Sequence, residues 1–469
     1  MSKDLITKPV EELAPLIKNK SMSPVELTKA VLDHAEKVEE KLNATMAFYR
    51  KEAETAAKKA EEEITAGNYR GMYHGIPMGI KDNIFMKDKV TTMSSKIHQD
   101  YVSPYDATVI TKLREAGVIF TGKLSMHEYA MGITNNNPHY GPVHNPWDLN
   151  KVSGGSSGGS GAALAADATV ASIGTDTAGS IRIPSALCGT VGLKPTRGRV
   201  SAYGVFPLSW TLDHVGPMTK TVKDAAGLLE IIAGYDEKDP VSVDTPAGNY
   251  LNELNEDVKD LVIGVEEDFF FNEIDSRIDK LVRATIQSLV DQGAKVEVVK
   301  IPSLIEGGDA GFNISLSEAS TIHFNNILTR LEDFGEDVRG MLGMGASPAT
   351  KEYANALCVR EKAQDEFREV FKKVDVIIAP TSPVMANNIG EEHVDLNGKQ
   401  VDFLSNIIRL TSPGNYTGLP TLAVPCGLVD NMPVGLQVIG PEFREDLVLK
   451  AGYAIEQTNP LKGYKPQLS

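Results

Sequence analysis

Apolar and polar positions along the chain follow two periods. Near the N-terminus, Val25, Leu27, Val31 and Leu32 form an apolar face behind Ser23-Pro24-Val25-Glu26. That tetrapeptide places a capping serine three residues before a glutamate, with proline at the first helical position, so a helix is expected to start there. An Ala- and Glu-rich stretch over 51–66, stopped by Gly67, predicts a second helix. Short β-rich runs then begin, at Val118 to Thr121 and at Ala168 to Ile173, each bounded by Gly or Asp. Further on, 261–265 reads as a strand, 275–292 as an amphipathic helix, 295–299 as a strand, 350–372 as a long helix and 374–379 as a buried strand. Strands alternating with helices predict an α/β fold, with a single large mixed, largely parallel β-sheet covered by helices on both faces. No Pro/Ser-rich linker and no repeat interrupts the chain. The expected organisation is a helical N-terminal region over 1–70 packed on one large domain over 71–469.

Composition narrows the picture. At 42% apolar and 23% charged residues, a packed soluble core is the default. No run of about 18 apolar residues predicts a membrane span, and no basic segment leads into an apolar stretch at the N-terminus, so neither membrane nor secretory signal is expected. The formal charge of −16 argues against a broad nucleic-acid surface. Cys188, Cys358 and Cys426 are far apart. They read as buried free thiols in a reducing, cytoplasmic setting, with neither a disulfide framework nor a zinc site expected.

The least ordinary stretch carries two glycine-rich turns with serines. Ser153-Gly-Gly-Ser-Ser-Gly-Gly-Ser-Gly-Ala-Ala is followed by Gly174-Thr-Asp-Thr-Ala-Gly-Ser-Ile-Arg-Ile-Pro184. Glycines let backbone N–H groups converge beside a hydroxyl, which suits acyl transfer because negative charge develops on the carbonyl oxygen. A flexible linker is the plainer reading, but the first tract runs straight into the helix start Ala162 to Ala166 and the second abuts a buried strand. A phosphate cradle lacks its glycine spacing. Gly154-Gly-Ser156-Ser-Gly158 also satisfies the nucleophile elbow of an α/β-hydrolase-type esterase, but the residues before it, Asn145 to Ser153, make a poor strand. A serine nucleophile needs a base, and lysine can serve. Lys81, in Gly75-Ile-Pro-Met-Gly-Ile-Lys-Asp-Asn83, sits among apolar residues that could carry it inside. Burial disfavours its charged form, and a fall of about 2–3 pKa units from about 10.4 would make it a base near neutrality.

These motifs resemble the amidase signature family, and the resemblance continues through Gly189 to Arg199, Leu212 to Met218, Asn415 to Pro420 and Pro433 to Gly440. It implies that Ser180 is the acylated nucleophile, Ser156 a bridging serine held by a cis peptide, and Lys81 the base. It further implies an oxyanion hole from the backbone N–H groups of Thr177, Ala178, Gly179 and Ser180, with Asp176 and Arg182 bracing the loop and Ser157 joining the network. Ala178 departs from the commoner glycine while keeping its N–H. The implied reaction is hydrolysis of an amide to carboxylate plus ammonia or amine through an acyl-enzyme, without metal or organic cofactor.

Within the family two branches compete. One is a stand-alone amidase acting on a small-molecule amide; the other is the A subunit of a tRNA-dependent amidotransferase, a glutaminase that feeds ammonia to partner subunits. That second branch carries adjacent arginines after Phe-Gly-Glu, one of which grips the glutamine carboxylate, whereas this chain reads Phe334-Gly-Glu-Asp-Val-Arg339-Gly340-Met341. It also carries an aspartate where this chain has Ile408. Both positions favour the stand-alone amidase. The resemblance points to Tyr129, Met131 and Trp210 as substrate-facing residues and to a homodimer as the expected assembly; esters, anilides and carbamates share the same tetrahedral chemistry and are candidate accessory substrates.

Overall fold

The computed structural model describes residues 5–307, 309–346, 350–458 and 465–468. Eleven strands form the main sheet: β1 (Thr45–Phe48), β2 (Pro77–Lys81), β3 (Ile119–Leu124), β4 (Ala171–Asp176), β5 (Val191–Lys194), β6 (His214–Thr219), β7 (Val262–Glu266), β8 (Lys295–Val299), β9 (Val376–Pro380), β10 (Thr421–Val429) and β11 (Met432–Ile439). They lie side by side in the order β1-β3-β2-β4-β6-β5-β10-β11-β9-β7-β8. The sheet is mixed, as expected, and its parallel pairs form two blocks. β2 runs parallel to β3 and β4, and β7 to β8 and β9. Antiparallel pairs join these blocks through the centre and attach β1 at the edge. The centre is antiparallel partly because β10 returns at once into β11. Asp430 and Asn431 both take left-handed backbone angles there (φ 50° and 64°), which short polar side chains tolerate and a two-residue hairpin needs.

Helices cover both faces. Ten that matter here are α1 (Val10–Lys18), α2 (Pro24–Leu42), α3 (Arg50–Thr65), α4 (Gly158–Ala165), α5 (Arg182–Cys188), α6 (Ser276–Asp291), α7 (Ala310–Ile322), α8 (Glu336–Ala346), α9 (Thr350–Val370) and α10 (Phe403–Arg409), and an eleventh, α11, spans Glu445–Thr458. Leu422 and Val424 of β10 face Gly452 in α11, while Gly435 of β11, opposite Pro425, lies against Ala186 of α5. Alternation along one hairpin thus seats one helix on each face. Helix α2 begins where its cap predicts, Ser23 accepting from the N–H groups of Val25 and Glu26. It buries Leu27, Val31, Leu32, Ala35, Val38 and Leu42, and each large apolar side chain removed from water contributes about 1.5–3 kcal/mol.

Three local expectations change. The 168–173 run starts as a strand only at Ala171, because Thr169 turns its hydroxyl to accept from Gly79 N (3.0 Å) and donate to Ala171 O (2.8 Å). The N-terminal helices are interrupted by β1, which pairs with β3 at the sheet edge. Cys188 and Cys426 are buried, but Cys358, on the polar side of α9, is exposed. No described helix is long and apolar enough to cross a membrane.

Candidate active site

Parallel pairing of β2 with β4 sets Gly79 beside Ser172 and Ile80 beside Ile173, which brings Lys81 at the end of β2 alongside Thr175. Lys81 is fully buried. Its Nζ lies 2.8 Å from Ser156 Oγ, 2.8 Å from Thr175 Oγ1 and 3.4 Å from Thr175 O. Burial pushes the lysine down to about 7, against the opposing pull of the Asp176 and Asp213 carboxylates. A neutral amine has two N–H groups and one lone pair. The two oxygens of Thr175 can take the N–H groups, leaving the lone pair for the Ser156 hydroxyl. Asn83 also donates to Thr175 Oγ1 (3.2 Å), fixing that side chain from the other side.

The serine tract enters the site just before α4, passing beside α5. Gly154 takes a left-handed angle (φ 78°), and a side chain on it would lie 2.9 Å from the Pro184 backbone, so only glycine lets the tract pass this close to α5. The Gly155–Ser156 peptide is cis. Ser156 O accepts from His127 N (3.1 Å), Ser157 N donates to Ser180 O (3.2 Å), and Ser157 Oγ donates to Thr175 O (3.2 Å). Through these bonds Lys81, Ser156, Ser157 and the Ser180 turn come together. Ser156 and Ser157 are fully buried, whereas Ser180 retains 5% of its surface.

One carboxylate organises the Ser180 turn. Asp176 accepts from Gly179 N (2.7 Å) and Ile181 N (3.1 Å), and from Arg182 Nε and Nη2 at 3.0 Å each. Arg182 is buried with its other donors placed on Thr411 O, Gln437 Oε1 and Asn415 Oδ1. Asn415 donates back to Asp176 Oδ1 (2.8 Å). Burial alone would raise the Asp176 pKa; Arg182, with Lys194 nearby, overrides it and holds the carboxyl below the usual range. Asp176 and Arg182 thus pair with each other inside the Ser180 turn. The Gly179 N–H points at Asp176, so it is engaged with that carboxylate rather than turned towards an oxyanion. No described hydrogen bond takes the N–H of Thr177, Ala178 or Ser180.

Asp213 carries a role that the motif pattern did not reveal. It accepts from Thr177 Oγ1 (2.6 Å) and from Leu208 N and Ser209 N, tying the Ser180 turn to the loop before β6. Burial pushes its pKa up to about 6 against those bonds. A second buried pair underlies β2. Lys123 Nζ donates to Ile84 O and lies 3.7 Å from Asp82 Oδ1, and burial pushes the lysine down to about 8. Asp213 lies in the Leu212–Met218 motif and Asn415 in the Asn415–Pro420 motif, so motif membership was the available signal. Thr175 required knowledge of strand pairing.

A cavity of about 50 Å³ reaches Ser180 between the Ala130–Ile133 loop, the Thr177–Ala178 backbone, α7, α8 and α10, and no charged residue lines it. Met131 lines this cavity, as do Met341 and Ile408. Tyr129 and Trp210 do not. Tyr129 is 1% exposed and packed among His98, Phe206, His323 and Phe334, and Trp210 stands 47% exposed. Among the described residues, no group of three or more His, Cys, Asp or Glu side chains is placed to hold a metal ion.

Comparison with known proteins finds relatives along almost the whole chain. The Amidase family model matches residues 26–449. The A subunit of glutamyl-tRNA(Gln) amidotransferase from Thermoanaerobacter pseudethanolicus is 39% identical over 488 residues, covering 99% of each chain. The solved structure of its counterpart from Thermotoga maritima superposes with a TM-score of 0.84 at 35% identity, covering 99% of this chain and 98% of that one. A protein from a vestigial complex, described as revealing the origins of an s-triazine catabolic enzyme, reaches a TM-score of 0.93 at 31% identity, covering 96% of this chain and 98% of its own.

Proposed function

The chain belongs to the amidase family, and from that premise we propose that it is an amidase hydrolysing a small, uncharged carboxylic amide through Lys81, Ser156 and Ser180. The observation carrying this reading is the fully buried Lys81 amine, pushed down to about 7 and 2.8 Å from Ser156 Oγ. Neutral Lys81 takes the Ser156 proton, Ser156 takes that of Ser180, and Ser180 Oγ bonds to the amide carbon. The carbonyl electrons move onto oxygen, where the Thr177, Ala178 and Ser180 N–H groups are the candidate donors. When the oxyanion collapses, the C–N bond breaks and the relay returns the proton to the leaving nitrogen. Water then attacks the ester, giving its proton to the same relay, and the carboxylic acid leaves with Ser180 restored.

Substrate class follows from the cavity. Met341 and Ile408 occupy positions where the amidotransferase branch has an arginine and an aspartate, and both line the cavity reaching Ser180. The charged end of glutamine would meet hydrocarbon there, and an unpaired buried charge is costly. A second reading has its own support, because the 39% identity over 99% of both chains is to the A subunit of an amidotransferase. The two readings share the acyl chemistry and differ in substrate and partners. Ammonia release from acetamide, benzamide, glutamine and asparagine, and aniline release from an anilide, separates them, with Ser180→Ala and Lys81→Ala as controls. Turnover of the simple amides, lowered at least about 10³-fold by either substitution, supports the amidase. Turnover of glutamine alone, or only with partner subunits, selects the second reading. Activity that survives Ser180→Ala removes both.

A further inference from the structure

Ile408 and Leu404 lie one helical turn apart on α10, so their side chains share a face. Facing them is Phe312, in the first turn of α7. These three residues line the 50 Å³ cavity at Ser180, and they also line a second cavity of about 550 Å³ on their far side. The inner space is the smaller of the two. The outer one is larger, with an apolar side at Phe269, Leu304 and Ile305 and a charged rim at Asp268, Glu273, Asp309, Asp402 and Arg409. The Arg409 Nη groups are already held by the carbonyls of Phe269, Asn272 and Glu273.

We propose that Phe312, Leu404 and Ile408 form a partition that sets acyl length, restricting the site to short-chain amides and closing off a ready-made outer chamber for longer acyl groups. The proposal rests on the amide-hydrolase reading for the identity of the bound group. Its structural basis is independent of that reading: two adjacent cavities share one wall, and the wall consists only of apolar side chains from two short helical segments. Side chains of this kind can be trimmed without uncovering a buried charge. Trimming Ile408 would join a chamber too small for an extended chain to one that can hold it, so the change in preference should be large.

The test measures length preference in two ways. Hydrolysis of acetamide, butyramide and hexanamide is followed by ammonia release in the unmodified chain, Ile408→Ala, Leu404→Ala and Ile408→Phe. Binding of the same amides is followed by calorimetry in a Ser180→Ala background with and without Ile408→Ala. The quantity read is the hexanamide-to-acetamide ratio, of kcat/KM in one arm and of affinity in the other. Each ratio comes from a single preparation, so a partly folded variant does not distort it. The ratio should rise at least about tenfold in Ile408→Ala and Leu404→Ala, since one methylene in an apolar pocket changes discrimination by about 10–200-fold. It should fall in Ile408→Phe, which narrows the inner chamber. A length profile unchanged by Ile408→Ala in the binding arm, or no preference for the short amide before trimming, overturns the partition. Absence of ammonia release with the binding shift intact would instead remove the hydrolase reading and leave the partition standing.

Discussion

Replacing Lys81 by methionine tests whether burial tunes this amine. Lys81 is fully buried and its pKa falls to about 7 from an ordinary 10.5, with desolvation the largest cause. At about 1.4 kcal/mol per tenfold change in the proton equilibrium, that gap corresponds to about 5 kcal/mol of disfavoured charge. The direction with pH follows from proton counting. Below pH 7 the lysine is protonated in both states and the folded protein carries the whole penalty. Between about 7 and 10.5 the unfolded chain binds more protons than the folded one, so stability climbs with pH; above 10.5 both forms are neutral and the penalty is gone. Lys81→Met keeps much of the volume and removes the charge. It also loses the contacts to Ser156 and Thr175, which lowers stability by an amount much less sensitive to pH, and Thr175 Oγ1 keeps Asn83 as a donor. The unfolding free energy of Lys81→Met minus that of the parent should therefore drop by about 2–3 kcal/mol between about pH 6 and about pH 9. Urea titrations at the two pH values, with matched m-values, measure it. A difference that stays constant across this range would refute the argument that burial holds the amine neutral.

Other expectations follow from the same geometry. Activity should rise with pH along an acid limb near 7, as Lys81 loses its proton. Because the Asp213 carboxylate favours the protonated amine, Asp213→Asn should move that limb to lower pH in a kcat/KM profile. Arg182→Met leaves Asp176 buried without its cation and should lower stability by about 3–5 kcal/mol in denaturant titration. Gly179→Ala places a methyl 2.3 Å from Thr411 Oγ1 at a φ of 131°, so hydrolysis should be lost while far-ultraviolet circular dichroism stays native-like.

Much of the site was legible because its chemistry sits in contiguous motifs. Lys81, Ser156, Asp176, Ser180 and Arg182 each lie in a glycine-rich or strand-terminal segment whose composition has few other physical uses. Contacts between distant segments were harder to read. Thr175 meets Lys81 only because β2 and β4 run parallel in a particular register, and periodicity carries no register between strands. Asp213 lies in a motif segment, but Thr177, which donates to it, is brought there by the fold. Strand β1 is four residues with no alternation to mark it, and its pairing with β3 is settled by tertiary packing. Trp210, which the resemblance sets near the substrate, is 47% exposed and does not line the cavity at Ser180. The Gly179 amide points to Asp176 because that carboxylate needs several donors once buried, a demand invisible without the fold.

Whether Ser180 is the activated nucleophile can be read from mass spectrometry of the intact and digested protein after a brief reaction with a small alkyl fluorophosphonate, which labels activated serines. A single adduct on Ser180, lost in Ser180→Ala and slowed strongly in Lys81→Met, is the predicted result. An adduct on Ser156 or elsewhere, or labelling of Ser180 that proceeds equally fast without the lysine, would contradict the proposed relay.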